Sequence, residues 1–282
     1  MLNKEIRGGV VDVLDEGGKL NPYFVTGFLD AESSFHLRIR KIHGYSTGWA
    51  VELIFQISLH KKDRSLLEMI KAYFKGVGNI YRERDDSIRY CVSSIKDVAV
   101  IIEHFDKYRL TTQKRADYEL FKQAFSLISR KEHLTPEGIR KLVAIKAPIN
   151  RGLSDKLKAA FPNTKPESRP AFDFTGVLDP NWLAGFVEGE GSFLVHTPKS
   201  KTTNLGKSVR LEFTISQHIR DEQLIKSLVQ YLDCGRTRLD PRGSVIYFTV
   251  TRLSDISEKI IPRAPLRFLC EKTFWKLSSC WI

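Results

Sequence analysis

The hydrophobic positions of the chain keep two periods. From Asn21 to Phe35 (NPYFVTGFLDAESSF) apolar residues fill successive turns, and two acids, Asp30 and Glu32, close the stretch. This predicts a helix, with Asn21 as its N-cap and Pro22 at its first position. From Phe35 the period falls to two. Phe35, Leu37 and Ile39 alternate with His36, Arg38 and Arg40, which predicts a strand with one apolar and one basic face. A second strand is expected over Ala50–Ser58, turning Leu53, Phe55 and Ile57 inward and Gln56 and Ser58 outward. An amphipathic helix follows over Asp63–Phe74, with Leu66, Leu67, Ile70 and Tyr73 along one side and Gly76 and Gly78 closing it. Two more strands are expected near Asn79–Arg84 and Ile88–Ser93. Helices then run from about Lys96 to Phe105 and from Asp117 to Ser129. A last one starts at Pro136, capped by Thr135, and ends near Asn150.

The whole programme recurs. Asp179–Phe193 (DPNWLAGFVEGEGSF) matches Asn21–Phe35 at a constant offset of 158 (185 − 27, taking Gly185 and Gly27). At that offset Leu211, Phe213 and Ile215 fall on Leu53, Phe55 and Ile57, and Asp221, Leu224 and Tyr231 fall on Asp63, Leu66 and Tyr73. Val195 is expected to face in and His196 out, and strands near Arg236–Leu239 and Ser244–Thr251 complete the second sheet. His218 falls on His60; a histidine ending a strand is expected to be structural. A repeat this regular means two copies of one supersecondary unit, each helix, two strands, helix, two strands. The domain boundaries follow: 1–20 a flexible, glycine-containing lead-in, 21–150 the first repeat, 151–178 a proline-bearing linker, 179–261 the second repeat and 262–282 a divergent tail. The first copy continues past Ile102 to Asn150, whereas Pro262–Ile282 (PRAPLRFLCEKTFWKLSSCWI) resembles nothing in it. The second copy is therefore expected to lack its closing helices. Either Phe268, Leu269, Phe274, Trp275 and Trp281 improvise a cover, or the gene is truncated or frame-altered near Pro262.

Small residues stand four apart in both apolar helices, Gly27 with Ala31 and Gly185 with Gly189, on one face of each. Such side chains let two backbones approach closely, so the helices are expected to pair. Asp30, Glu32, Glu188 and Glu190 fall in the last turns. The partial negative charge of a helix carbonyl end makes an acid there unfavourable by a few tenths to about 1 kcal/mol. Pairing would add repulsion between Glu32 and Glu190, and a divalent cation relieves both.

Composition narrows the partners. The 282 residues carry a net charge of +12, which favours a polyanion. No apolar run approaches the roughly 18 residues of a membrane span, so no membrane partner is expected. Cys91, Cys234, Cys270 and Cys280 have no CxxC spacing, and the seven histidines form no HExxH pair, which leaves no zinc or disulfide framework. Nothing suggests a serine or cysteine nucleophile. Residues 1–20 are too acidic for a mitochondrial presequence and lack the apolar core of a secretory signal.

A strand face of Arg, Lys, Gln, Ser and Thr suits the DNA major groove, where a β-ribbon fits. In the first half the candidates are His36, Arg38, Arg40, Gln56 and Ser58, then Arg82, Arg84 and Arg89. In the second half they are His196, Arg210, Thr214, Ser216, Arg236, Arg238, Tyr247 and Thr249, with Lys199, Lys201 and Lys207 making the outward face basic. The two sets differ, so an asymmetric site is expected.

VTGFLDAES (Val25–Ser33) and LAGFVEGEG (Leu183–Gly191), each followed by Ser-Phe, resemble the two motifs of a single-chain LAGLIDADG homing endonuclease of the fungal mitochondrial intron-encoded type. The resemblance covers roughly residues 21–262. It implies an α+β fold of two tandem αββαββα repeats forming a pseudo-twofold β-saddle, here with the second repeat short of its usual C-terminal helices. It implies a monomer that makes a double-strand break in a long asymmetric DNA target by metal-dependent phosphodiester hydrolysis. Glu32 and Glu190 would bind the metal, with the carbonyls of Ala31 and Gly189 as further ligands. Mg²⁺ fits such oxygen donors; Mn²⁺ could replace it, and Ca²⁺ could bind without cleavage. Gln217 falls where the family places a supporting polar group, its counterpart being Leu59, and Lys114 would neutralise charge near the scissile phosphate. Ser33 departs from the family's Gly, so strain is expected there if the position needs a left-handed backbone. Two other roles remain open: an intron RNA maturase with host intron RNA as partner, or a catalytically silent DNA-binding derivative. By the same resemblance the protein is mitochondrial, encoded within the organelle.

Overall fold

The computed structural model describes residues 13–14, 17–172, 174, 176–177, 179–202 and 206–263. The elements run α1 (Pro22–Glu32), β1 (Ser33–Lys41), β2 (Trp49–His60), α2 (Arg64–Tyr73), β3 (Asn79–Arg82), β4 (Ser87–Val92), α3 (Ile95–Lys107), α4 (Lys114–Ser129), α5 (Pro136–Lys146) and α6 (Asp155–Ala160). The second half holds α7 (Pro180–Glu190), β5 (Gly191–His196), β6 (Arg210–His218), α8 (Glu222–Leu232), β7 (Arg236–Leu239) and β8 (Val245–Val250), then short helical turns from Leu253–Asp255 to Ile261–Arg263. This is the α+β architecture expected. Each half contains a four-stranded antiparallel sheet, in the orders β1-β2-β4-β3 and β5-β6-β8-β7.

By contacts the chain divides into two compact units that do not follow the repeat boundary. Met1–Glu32 and Phe174–Ile282 form one, and Ser33–Asp173 forms the other. Helix α1 therefore belongs with α7 and the second sheet rather than with the strand it runs into.

In the unit Ser33–Asp173, alternation does what the sequence says. Phe35, Leu37 and Ile39 are buried while Arg38 and Arg40 are exposed. Phe35 is the hub of an aromatic cluster, with ring centroids 5.2–5.6 Å from those of Phe55, Phe105, Tyr118 and Phe121. Helix α4 supplies the last two. The predicted cap of α5 is present, with the Gly138 amide donating to Thr135 Oγ1 at 3.0 Å. His60 and His218 are structural, as expected: each ends a strand and its Nδ1 accepts the amide of Lys62 or Arg220 at 3.2 Å, capping a 3₁₀ turn. The proline-bearing stretch is more ordered than a plain linker. It contains α6, and Arg169 donates to Asp117 Oδ1 at 2.7 Å and to the carbonyls of Pro148 and Gln113 at 3.0 and 3.2 Å.

In the other unit, the described part of the lead-in is not free chain. Leu14 and Leu20 form an antiparallel bridge, and the Asn21 amide donates to Val13 O at 2.8 Å. The core gathers Trp182, Phe186, Phe213 and Phe248 with Leu224, Leu228, Ile256 and Ile260. Phe193 packs against Phe213 at 4.8 Å, yet it is only half-buried where its counterpart Phe35 is 1% exposed. Among the described residues no helix covers β5 as α4 covers β1. The aromatic residues of the tail proposed as a cover lie outside the described residues.

Several strand ends differ from expectation by one or two residues, since alternation weakens at strand ends. One internal shift has more consequence. Strand β4 maps to β8 at the offset 158, but β3 maps to β7 at 157: Asn79 pairs with Cys91, and Arg236 with Thr249 (249 − 91 = 158; 236 − 79 = 157). The deletion lies in the loop before the strand. Gly78 and Gly235, at φ +73° and +77°, hold equivalent places, since a Cβ on either would crowd the ring of Tyr90 or Phe248. The outward pair Tyr81–Arg89 of the first sheet thereby becomes Arg238–Tyr247 in the second, with aromatic and cation exchanged.

Candidate functional site

The site is built on the seam between α1 and α7. Asn21 Oδ1 accepts the Tyr23 amide at 2.9 Å and Asp179 Oδ1 that of Asn181 at 2.7 Å, so each helix is capped as predicted. A Cβ on Gly27 would overlap the carbonyl oxygen of Trp182 and come within 2.9 Å of the Phe186 nitrogen. On Gly185 it would overlap the carbonyl of Phe24 and reach 2.7 Å from the Phe28 nitrogen. On Gly189 it would overlap the Ala31 methyl and lie 3.1 Å from Glu32 Cγ. The contacts advance together along both helices, so the two run in the same direction in backbone contact and their carboxyl ends meet. Glu32 thus lies against Gly189, the neighbour of Glu190, and both acids are half-buried final residues of their helices.

The other two acids of the motifs have a different place. Asp30 and Glu188 are 2% and 3% exposed, inside the packing rather than with the helix-end pair. Asp30 Oδ2 accepts the indole N–H of Trp182 at 2.8 Å, a buried hydrogen bond across the seam. The counterpart of Trp182 is Phe24 (182 − 158), which has no side-chain donor, so the two halves are chemically unequal. Sequence reading missed this pair.

Carboxylates beside the carbonyl ends of two helices make a hard oxygen donor set of the kind Mg²⁺ and Ca²⁺ prefer. Among the described residues no group of three or more His, Cys, Asp and Glu could hold a metal, so other ligands would have to be main-chain carbonyls, water or substrate. Ala31 and Gly189, adjoining the acids, are half-buried. These donors fit a divalent cation.

The expectation of strain at Ser33 is overturned. Gly191 has φ −70° and ψ 144°, ordinary extended backbone, and Ser33 too lies outside the left-handed region. Glycine at 191 answers a need for space, because a Cβ there would overlap the Val187 carbonyl oxygen and lie 2.9 Å from Val187 Cγ1.

Gln217, on β6, pairs with the core residue Ile246 and is half-buried; its counterpart Leu59 is buried in the other unit's core. Lys114 opens α4 in the unit Ser33–Asp173, its amide donating to Thr112 Oγ1 at 3.2 Å.

On the first sheet, Arg38, Arg40 and Ser58 are exposed on the outward face, and Gln56 and Arg89 are half-buried. Arg82 is exposed, but it pairs with the buried Ile88 on the edge strand, so alternation sets it on the opposite side from Tyr81 and Arg89 and not on the outward face. His36 is half-buried, with Nε2 2.9 Å from Ser34 Oγ. Burial, helped by Lys146, Arg38 and Arg89, holds its pKa below the usual histidine value. Arg84 is not on the sheet: β3 ends at Arg82, and Arg84 sits in the following turn, its carbonyl accepting the Ser87 hydroxyl at 2.8 Å. Glu52 is on the outward side of β2, opposite Arg38, and the register sets Tyr81, rather than Arg82, on the outward side of β3.

On the second sheet, His196, Arg210, Arg236 and Arg238 are exposed, while Ser216 and Tyr247 are half-buried. The Arg238 guanidinium lies over the Tyr247 ring at 4.4 Å, and His196 Nε2 is 3.6 Å from Glu212 Oε2. Thr214 donates its hydroxyl to Phe248 O at 3.1 Å. Two assignments change. Thr249 is 8% exposed, flanked by Thr214 and Arg236 on the adjoining strands. Lys199, Lys201 and Lys207 lie in the loop between β5 and β6, where Lys199 bridges Lys207, and not on the strand face.

A model of the LAGLIDADG endonuclease family matches residues 25–125 and 183–263. "Probable intron-encoded endonuclease 3" of Neurospora crassa is 39% identical over 246 residues, 86% of this chain and 46% of that protein. An "Uncharacterized 50.9 kDa protein in ND4 intron 1" of Podospora anserina is 50% identical over 118 residues, 41% of this chain and 26% of that protein. The chain thus spans less than half the length of either relative. Among solved structures, the I-SmaMI LAGLIDADG homing endonuclease bound to cleaved DNA superposes with a TM-score of 0.85 at 46% identity, covering 90% of this chain and 83% of that one. I-SmaMI bound to an uncleaved DNA target in the presence of calcium ions gives a TM-score of 0.84.

Proposed function

The chain belongs to the LAGLIDADG endonuclease family, and from that premise we propose that it is a site-specific homing endonuclease that makes a double-strand break in a long, asymmetric DNA target. The observation that carries this reading is the meeting of the α1 and α7 carboxyl ends, which sets Glu32 against Gly189 beside Glu190. Glu32 and Glu190, with the carbonyls of Ala31 and Gly189, would hold divalent cations, Mg²⁺ for turnover. When bound, such a cation acidifies water and stabilises charge on the attacking and leaving oxygens of a phosphodiester. The chain's own part is to fix those oxygens rigidly: backbone contact at Gly27 and Gly185 and the Trp182–Asp30 bond leave the helix ends little freedom.

The exposed arginines of the two sheets are suited to duplex DNA, with phosphate contacts positioning it and guanidinium forks reading guanine edges. Unequal outward residues, including the exchanged Tyr81–Arg89 and Arg238–Tyr247 pairs, favour an asymmetric target. One chain carries both acids, which favours a monomer. The intron-encoded names of the relatives support a product of a fungal mitochondrial intron. The test is to incubate the purified protein and Mg²⁺ with a plasmid carrying the intron-less host junction. Linear product from the wild type, absent with Glu32→Gln or Glu190→Gln, is the expected result; binding without cleavage by the wild type would overturn the endonuclease reading.

A further inference from the structure

On the outward face of the first sheet a carboxylate sits among the arginines. Glu52 faces Arg38 across β1 and β2. Its Oε2 lies 3.1 Å from Arg38 Nη1 and 3.9 Å from Arg40 Nη2, so one acid serves two guanidinium groups. A third cation of this sheet, Arg89, is held in the same way, its Nη2 3.1 Å from Glu83 Oε1. The second sheet lacks this arrangement at the equivalent place. Arg210 occupies the position of Glu52 (210 − 158) and pairs with His196.

We propose that Glu52 is a positioning residue that restrains Arg38 and Arg40 from non-specific phosphate contact and reserves them for base edges. The inference rests on the duplex-binding reading above and adds how the first sheet discriminates. An arginine has five N–H donors, so a carboxylate on one edge leaves others for the O6 and N7 of a guanine. A phosphate brought to the same guanidinium carries a full negative charge and meets the like charge of Glu52, which a neutral guanine edge does not. That penalty falls on every sequence alike, whereas a correct base is compatible with the pair, so discrimination rises while non-specific affinity falls.

The experiment compares wild type, Glu52→Gln and Glu68→Gln. Glu68 makes an exposed ion pair with Arg64 on α2, so its change adds the same charge away from the outward face. Binding to a labelled random-sequence duplex is followed by anisotropy from ~50 to ~200 mM salt. A randomised duplex pool is then selected and the bound fraction sequenced. Glu52→Gln is expected to bind the random duplex about two- to fivefold more tightly at low salt. Its log–log salt slope should steepen by about one to two, and its base preferences should flatten at the positions under the first sheet. Equal slopes, affinities and preferences for Glu52→Gln and Glu68→Gln would overturn the inference. A wild type with no salt-dependent duplex binding would instead sink the duplex-binding reading itself.

Discussion

The residues of the α1–α7 seam are fixed by space rather than by backbone angle. Gly185 has no tolerance for a methyl group, because the Phe24 carbonyl already occupies the place a Cβ would take. Gly185→Ala is expected to destabilise the fold by about 1–3 kcal/mol, the usual range for overpacking, read by chemical denaturation. Trp182→Phe removes the indole donor to Asp30 together with part of a buried ring, and should cost at least about 1–3 kcal/mol. The spacing of the small residues made the seam legible in the sequence. The indole bond was not legible: its partners are 152 positions apart, and a periodic pattern gives faces, not rotamers. His104 adds a pH dependence. It is buried among aromatic rings, 3.0 Å from the Tyr73 hydroxyl, and burial lowers its pKa from 6.5 to about 3. Below pH 6.5 the unfolded chain takes up a proton that the folded one refuses. Stability should therefore fall as pH drops from about 6.5 toward about 3, by at most ~1.4 kcal/mol per pH unit from this group. Denaturation midpoints across that range should show a shallower slope in His104→Gln.

Elements with a strong period or a clear cap were readable before any coordinates. Thr135 and Pro136 announced α5, and Thr135→Ala should cost about 1 kcal/mol by leaving the Gly138 amide without its cap. Strands β1 and β5 have the same pattern but different surroundings. Phe35 is enclosed by Tyr118 and Phe121 of α4, so Phe35→Ala is expected to cost about 3–5 kcal/mol. Phe193→Ala should cost clearly less, since that ring is only half-buried. Denaturation of the two variants side by side measures the difference. Where the period ended, so did legibility. Lys199, Lys201 and Lys207 looked like strand-face cations because charge alone says nothing about where a strand stops. The one-residue shift of β7 was hidden because a residue lost in the loop before it and one gained in the turn after it leave both strand patterns intact.

For the molecule as a whole, a net charge of +12 sets the kind of partner, while the contact between two distant helices sets the chemistry. The duplicated motif made that contact predictable, because two apolar helices with matched small faces have each other to pack against. It also explains why the compact units cut across the repeats: α1 is held to α7 by backbone contact, a closer association than its link to the strand that follows. The central claim is that the two helix-end carboxylates carry DNA cleavage. Its most direct test is the cleavage rate of an end-labelled target duplex in Mg²⁺ by wild type, Glu32→Gln and Glu190→Gln, each at saturating protein with binding measured in parallel. Each variant should bind the target as the wild type does and cleave it at least about a hundredfold more slowly; cleavage at the wild-type rate by either would contradict the account.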